Sequence, residues 1–443
     1  MQDSQAPPAD PAAVLAEGVP APIAPAFDCS DPAEELAKMP ADIQEQARKA
    51  LSLPQLVPQL RSDLERYGIA GESDTALLVY LCAISRHLDS PLWLTVQGPS
   101  SSGKTYVVER VAELVPAEAK VHAADMTQQA LVYIEPADAL RHRFIVGGER
   151  RRAGRRQDES AERTRHLRNL WSGETSILSP VKDRRTGRMT TERRTIKGPI
   201  AAVDTTTEQA SRIDQEDRNR RILIHTDESA RQTRRVLEHH AAAAAGLGID
   251  RDSRERLRLM HHAMQRLLAV QVQQHGAGVL IPFAPKLSQL FRDAKTEARR
   301  SWKQVLSLIE ASAVLHLFQR ERDEGDIMAT EQDYALARTL LLPSLSEGAG
   351  GLSESMRNLL TVIDANCGTE DFDAKTLLPF VEYGERHARG LCGELVERGL
   401  LEESGDGRHR GPTPKRWRRV EGASLPESDI LPMPEQLMQA VQR

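Results

Sequence analysis

The segment Gly98-Pro99-Ser100-Ser101-Ser102-Gly103-Lys104-Thr105 has the spacing Gly-x4-Gly-Lys-Thr, which can wrap a chain of phosphates. Small residues at Gly98, Ser100, Ser102 and Gly103 let backbone N–H groups close on an anion, and a helix beginning at Lys104 adds the positive end of its dipole. Lys104 could then reach the outer phosphates of ATP, and the Thr105 hydroxyl could ligate its Mg²⁺. Hydrolysis there needs a carboxylate at the end of a neighbouring strand, to hold Mg²⁺ and orient a water. Arg143-Phe144-Ile145-Val146 reads as that strand, yet Gly147 and Gly148 stand where acids are expected. Glu149 is the carboxylate in reach, with Asp125 as a weaker substitute. The alternative for Glu149 is a solvated pair with nearby arginines, which would leave weak or absent turnover.

Cations are unevenly spread. Net charge is −5, but residues 141–197 hold 17 Lys/Arg against 7 Asp/Glu, whereas residues 1–45 hold nine acids and one lysine. Such a concentration suits contact with a polyanion. Within the basic stretch, Thr175–Val181 and Met189–Ile196 read as the strands of a hairpin spanning 175–196, with Lys182, Arg184, Arg185 and Arg188 at its tip. Protruding cations can track a nucleic-acid backbone without reading bases, on single- or double-stranded DNA; the alternative is a solvated hairpin with no ligand. Asp214–Arg221 closes a predicted helix ahead of the strand Ile222–His225. An arginine at that junction, Arg220 first and then Arg221 or Arg218, could serve a neighbouring subunit's phosphate; a salt-bridged cluster with Asp214, Glu216 and Asp217 is the alternative. Arg299 and Arg300 open the long predicted helix Ala298–Phe318.

The elements that must position these residues follow from pattern. Of the 443 residues, 40% are hydrophobic and only 4% aromatic, which favours a helix-rich or α/β chain over an aromatic-rich sandwich. Cys29, Cys82, Cys367 and Cys392 are scattered, which excludes a disulfide scaffold or Cys-x-x-Cys zinc site and fits a reducing cytoplasm. No apolar run approaches the ~20 residues of a membrane helix. Residues 1–45, rich in Ala, Pro and acid, read as a disordered tail, and 46–90 as helical. Strand and helix signals alternate over 91–230, as in a mostly parallel sheet covered by helices. Residues 231–347 read as a helical lid, 352–420 as three helices with a basic hairpin containing Arg416 and Arg418, and 421–443 as an acidic tail.

Together these motifs resemble AAA+ ring ATPases of the group that inserts a β-hairpin before the sensor-1 strand, which includes minichromosome-maintenance-type and viral superfamily-three helicases. A closer resemblance is to AAA+ domains that accompany CHC-type zinc-finger primases on mobile elements and prophages. It covers about 75–345 and rests on Gly98–Thr105, His142–Val146 with Gly148-Glu149-Arg150, Gly198–Ala201 with Thr205–Thr207, Asp217 with Asn219-Arg220, and Thr226–Arg234. Arg300 with Ala311 and Ala313 is similar to the sensor-2 helix of minichromosome-maintenance proteins. The resemblance implies an α/β P-loop core with an inserted hairpin, a helical lid and a C-terminal winged helix. It further implies a homo-oligomer, a hexameric ring using ATP and Mg²⁺, with Glu149 as the acid, Asp204 or Thr205 at sensor 1, Arg220 as a trans-acting finger and Arg300 acting in cis. The implied role is a DNA helicase in mobile-element or phage replication, beside a primase or polymerase encoded elsewhere. No Cys/His zinc cluster or primase segment accompanies these motifs, and sensor 1 lacks the common Asn. Two rivals stay open: a loader or remodeller of a partner protein, and an ATP-switched DNA-binding regulator without hydrolysis. The winged helix could meet DNA, through Arg416, Arg418, His387, Arg389 and Arg398, or could dock protein.

Overall fold

A computed structural model describes residues 28–123, 134–150, 170–171, 173–182, 187–207, 220–291, 298–348, 354–381, 383–397, 399–404, 415–420 and 430–442. Four helices come first: α1 (Pro32–Ala37), α2 (Ala41–Leu51), α3 (Leu56–Arg66) and α4 (Ser73–Ser85). The reading of 1–45 as a disordered tail is thereby corrected from Pro32 onward; residues 1–27 lie outside the described residues. Asp31 caps α1 by accepting from the Ala33 N–H (2.9 Å), and Leu36, Met39 and Ile43 are buried in the main core. Every residue of α4 from Thr75 to Ser85 is buried, as its all-round apolar sequence demands.

The sheet follows: β1 (Trp93–Gln97), α5 (Lys104–Glu113), β2 (Lys120–Ala123), β3 (Arg143–Arg150), β4 (Glu174–Lys182), β5 (Met189–Lys197), β6 (Ile200–Thr206) and β7 (Ile222–His225). Five strands lie in the order β2-β3-β6-β1-β7, all parallel, so the molecule is mixed α/β around a parallel sheet. Leu94 pairs with Val203 on one side and Ile222 on the other. On that face Leu94, Val96, Phe144, Val146, Ala201 and Val203 join the main core with α4 and α5. The opposite face carries Trp93, Ile145, Ile200 and Ala202, packed with Leu140, Leu170 and Ile196 in a smaller cluster. Burial on both faces leaves β6 without polar alternation. Between β3 and β6, β4 and β5 pair antiparallel as nine-residue strands. That ribbon is about 30 Å long, and Thr175 and Ile196 at its base are buried.

Beyond the sheet come α6 (Ala230–Ala244), α7 (Arg251–His275), β8 (Val279–Leu280), α8 (Ala284–Leu290), α9 (Ala298–Leu315), β9 (Arg322–Asp323), β10 (Asp326–Met328) and α10 (Glu331–Gly348). The nearly all-helical reading of this stretch needs one correction, because β8, β10 and β9 form a three-stranded sheet. Strands of two or three residues carry no readable period. Helix α9 packs on α4 and α10, and Val305, Leu308 and Ile309 are fully buried there.

The C-terminal unit comprises α11 (Glu354–Asn366), β11 (Phe372–Asp373), α12 (Ala374–Leu377), α13 (Glu385–Glu397), β12 (Leu401–Glu403) and β13 (Arg416–Arg419). It has its own core of Met356, Leu360, Phe372, Leu391, Leu395 and Trp417, under an antiparallel sheet ordered β11-β13-β12. The chain then returns to the main body. Leu431 and Leu437, the latter on α14 (Pro434–Val441), are fully buried in the main core, and the Tyr334 hydroxyl donates to Pro432 O (2.6 Å). The reading of 421–443 as a tail is corrected for 430–442. Leu431→Ala should therefore cost about 2–5 kcal/mol, the range for emptying a buried leucine site. Urea or thermal unfolding checks this, and wild-type stability would refute the docking of this segment.

Candidate functional site

The loop 98–103 leaves the carboxyl end of β1, the strand flanked by β6 and β7. Its root is held by Gly98 N–H donating to Thr206 O (3.2 Å) and by Thr226 N–H donating to Gln97 O (3.1 Å). Ser101 and Gly103 adopt positive φ (70° and 88°), which turns the chain into α5. A Cβ at Gly98 would collide with Thr226 Oγ1 and lie 2.7 Å from Ser102 Oγ, so the position requires glycine. Those two hydroxyls and that of Thr205 are buried without a hydrogen-bond partner among the described residues. Orphaned donors around a helix start whose own N–H groups are unsatisfied suit a phosphate ligand. Ser100 and Thr105 are exposed. Lys104 is 5% exposed, and its ammonium donates to Pro99 O (2.7 Å). Burial pulls its pKa down, while the charges of Glu149 and Glu228 act the other way. The sequence reading gave Glu228 no role; its signal was the acidic turn directly after the strand beside β1.

Gly147 and Gly148 have a geometric purpose. Val146 pairs with Val203 but Glu149 pairs with Thr205, so β3 carries one extra residue against β6. In an unbroken strand, residue 149 would point to the opposite face from Val146. The extra residue brings Glu149 onto the face of Val146, Val203 and α5, the face of the phosphate loop. Gly147 makes the close approach: its Cβ would stand 3.2 Å from Asp204 Cβ and 3.3 Å from Val203 O.

The same register separates the two sensor-1 candidates. Thr205, opposite Val96, lies on the loop's face. Asp204, opposite Thr95, lies on the other, where it accepts from Thr95 Oγ1 (2.6 Å) and Arg221 Nη1 (3.2 Å). Asp204 is thus corrected from a nucleotide contact to the anchor of a buried pair. Arg221, 3% exposed, also stacks over the Trp93 ring at 4.2 Å, so it is no candidate for reaching another subunit. Arg220 is half-buried at the amino end of β7. The phosphate loop lies at the carboxyl end of β1, roughly 20 Å away along the parallel strands, too far for its own chain's loop. Arg300 is exposed on the first turn of α9, and no hydrogen bond or ion pair joins it to the loop among the described residues. Asp125, Asp214, Glu216, Asp217 and Arg218 lie outside the described residues.

Of the hairpin cations, Arg188 is exposed, Lys182 ends β4, and Arg184 and Arg185 lie outside the described residues. Register places Lys182, Arg193 and Lys197 on one ribbon face, because Met189, Arg193 and Lys197 oppose Lys182, Leu178 and Glu174. Arg193 and Lys197 are exposed there beside Leu178 (61%) and Met189 (65%). Sequence reading missed both, although their spacing of four along β5, twice the strand period, announced a shared face. The C-terminal cations differ. Arg418 pairs with Asp371 (2.7 Å), Arg419 with Asp364 (3.0 Å) and Lys415 with Glu403 (2.6 Å), while Arg416 is exposed. Arg389 is tied to Glu385 (2.6 Å), Arg398 lies outside the described residues, and His387 Nδ1 stands 3.5 Å from Glu228 Oε2. On α13, then, Arg389 faces outward within its own-helix pair, while His387 is half-buried beside Glu228.

Two outcomes follow from this geometry. Glu149→Gln removes the carboxylate that the extra residue brings to the loop's face, so nucleotide hydrolysis should fall about 10²–10⁴-fold with nucleotide binding retained. A Glu149→Gln variant that hydrolyses at the wild-type rate would remove Glu149 from the site. Arg221→Ala removes the guanidinium from a buried ion pair with Asp204, and should cost about 3–5 kcal/mol in urea unfolding; Arg220→Ala, away from that pair, should cost far less.

The sequence matches no protein-family profile and no curated protein. Among solved structures, it is similar to the crystal structure of a full-length MCM homolog from Methanopyrus kandleri. The two share 12% identity at a TM-score of 0.43, over 68% of this chain and 61% of that one. This chain thus spans about three-fifths of that homolog's length.

Proposed function

We propose that this chain is an AAA+-type P-loop ATPase that assembles as a ring, a hexamer, and moves along DNA in the cytoplasm. The observation that carries the reading is the convergence on one face of the sheet. Buried Lys104, the orphaned hydroxyls of Ser102, Thr205 and Thr226, and Glu149 delivered by its bulge all meet there.

Lys104 exchanges its loop carbonyl for the outer phosphates of ATP, which the hydroxyls and the free N–H groups of the α5 turn help to bind. Glu149 orients the attacking water and takes up its proton. Thr105 and Glu149 are the residues that would hold Mg²⁺, which supplies neutralisation of phosphate charge. Arg220, remote from its own loop, acts on the loop of an adjacent copy, and Arg300 would serve as a lid arginine. The ribbon cations Lys182, Arg184, Arg185, Arg188, Arg193 and Lys197 follow the DNA backbone. Residues 231–347 would act as the lid and 352–420 as a winged helix. In line with the motif resemblance, the activity would serve replication of a mobile element or phage, with a primase or polymerase as partner. One observation favours a second reading of the C-terminal unit: Lys415, Arg418 and Arg419 are neutralised by the unit's own acids, which suits docking of protein more than DNA.

Steady-state ATP hydrolysis, with and without single-stranded DNA at two salt concentrations, tests the proposal. DNA should raise turnover, and the stimulation should fade as salt rises because phosphate contacts release counterions. The triple change Lys182→Ala, Arg184→Ala and Arg185→Ala should abolish stimulation and spare nucleotide binding. Intact stimulation in that variant would sink the hairpin's role, and ATP binding without any turnover would favour an ATP-switched regulator.

A further inference from the structure

The stretch 226–229 touches three parts of the molecule at once. Thr226 N–H donates to Gln97 O (3.1 Å) at the root of the phosphate loop, and Asp227 N–H donates to Glu72 Oε1 (2.8 Å) ahead of α4. Ser229 caps α6 by accepting from Gln232 N–H (3.1 Å). Glu228 sits between these anchors, so its backbone is fixed and its side chain alone has a choice of neighbours.

On one side stands the Lys104 ammonium, which feels the charge of Glu228 as it feels that of Glu149. On the other stands His387, in the first turn of α13, with Nδ1 3.5 Å from Glu228 Oε2. The Tyr383 ring meets the imidazole edge-on at 4.8 Å and orients it. Glu228, Thr233, Arg234 and Leu237 face Tyr383 and His387 across a groove of about 660 Å³. Arg389, two residues further along α13, is held by Glu385 one turn before it.

We propose that Glu228 is a positioning residue of the phosphate site and that His387 sets which way it leans, so that the C-terminal unit governs how tightly the site holds a nucleoside triphosphate. The inference rests on the nucleotide-binding reading of the loop. A carboxylate leaning toward Lys104 competes with phosphate for the ammonium and repels the incoming anion. Leaning toward His387, it leaves Lys104 to the phosphates. Linkage is reciprocal, so a bound triphosphate favours the Glu228–His387 contact and with it the seating of the C-terminal unit.

Calorimetric titration of the full chain with MgATP tests this in five proteins: wild type, Lys104→Ala, Glu228→Gln, His387→Ala and the double variant Glu228→Gln/His387→Ala. Glu228→Gln should bind ATP at least about fivefold more tightly, and His387→Ala about fivefold more weakly, the low end of couplings between sites. In the double variant the effect of losing His387 should vanish, because it acts through Glu228. A merely structural role for either residue would weaken binding in both single variants and would not give opposite signs. Wild-type affinity in both, with binding lost in Lys104→Ala, overturns the proposal and spares the nucleotide reading. Wild-type affinity in Lys104→Ala overturns both. An undiminished His387→Ala effect in the Glu228→Gln background also overturns it. Should His387→Ala melt early, His387→Gln, which keeps size and polarity, takes its place in the same cycle.

Discussion

A lysine that is 5% exposed, whose ammonium donates to one loop carbonyl, is a constraint that the surrounding structure has to answer. Burial disfavours the charged form, and negative charge must be brought close to keep it. Two carboxylates supply that charge from separate parts of the chain, Glu149 from β3 and Glu228 from the turn after β7. Neither is adjacent to the loop in sequence. Only a sheet that places β1 between β6 and β7, with β3 next in line, brings both to the carboxyl end of the strand that launches the loop. A cation held this way, ringed by unpartnered hydroxyls, is complementary to a ligand carrying several negative oxygens.

The sheet's register works as a ruler for which side chains share that end. The period is two, so a single added residue exchanges faces for everything after it. At Gly147-Gly148 the extra residue brings Glu149 to the loop's side. One position along β6 in either direction exchanges Thr205 for a residue of the other face, which is why Asp204 is committed to Thr95 and Arg221.

The strand–loop–helix around Lys104 was legible because glycine spacing, an apolar run and an amphipathic segment agree with one another there. The identity of Glu149 was legible too, but not its direction, since a bulge exists only against a partner strand. The face of Asp204 was hidden for a different reason: all seven residues of β6 are buried, and a strand covered on both sides shows no alternation to read. Arg221 looked like its neighbour Arg220, and the Trp93 ring on β1 with Asp204 on β6 distinguishes them. At the chain's two ends composition misled. The proline-rich stretch masked α1, and Leu431 and Leu437 are apolar residues whose value appears only when α8 and α10 are there to receive α14. Charge counting failed similarly in the C-terminal unit, where Lys415, Arg418 and Arg419 face their own acids. Surface pairs of that kind contribute little stability; their consequence is the loss of positive potential that a polyanion would seek.

The path of the chain gives the Glu228–His387 contact more leverage than its length suggests. The C-terminal unit, with a core of its own, is joined to the main body on both sides, through α10 before it and through the buried Leu431 and Leu437 after it. A unit tethered once samples a wide volume, and a single imidazole–carboxylate contact would seldom form. Two tethers confine it, raising the effective concentration of His387 near Glu228 without any added contact. Small changes in where Glu228 leans can then be read as seating or release of a whole folded unit. Helix α6 is held inward by buried Gln232, while Leu237, 63% exposed, lines the groove beside His387. The interior constraint on Lys104 and the position of the C-terminal unit are in this way one electrostatic problem with two ends, solved at a carboxylate they share.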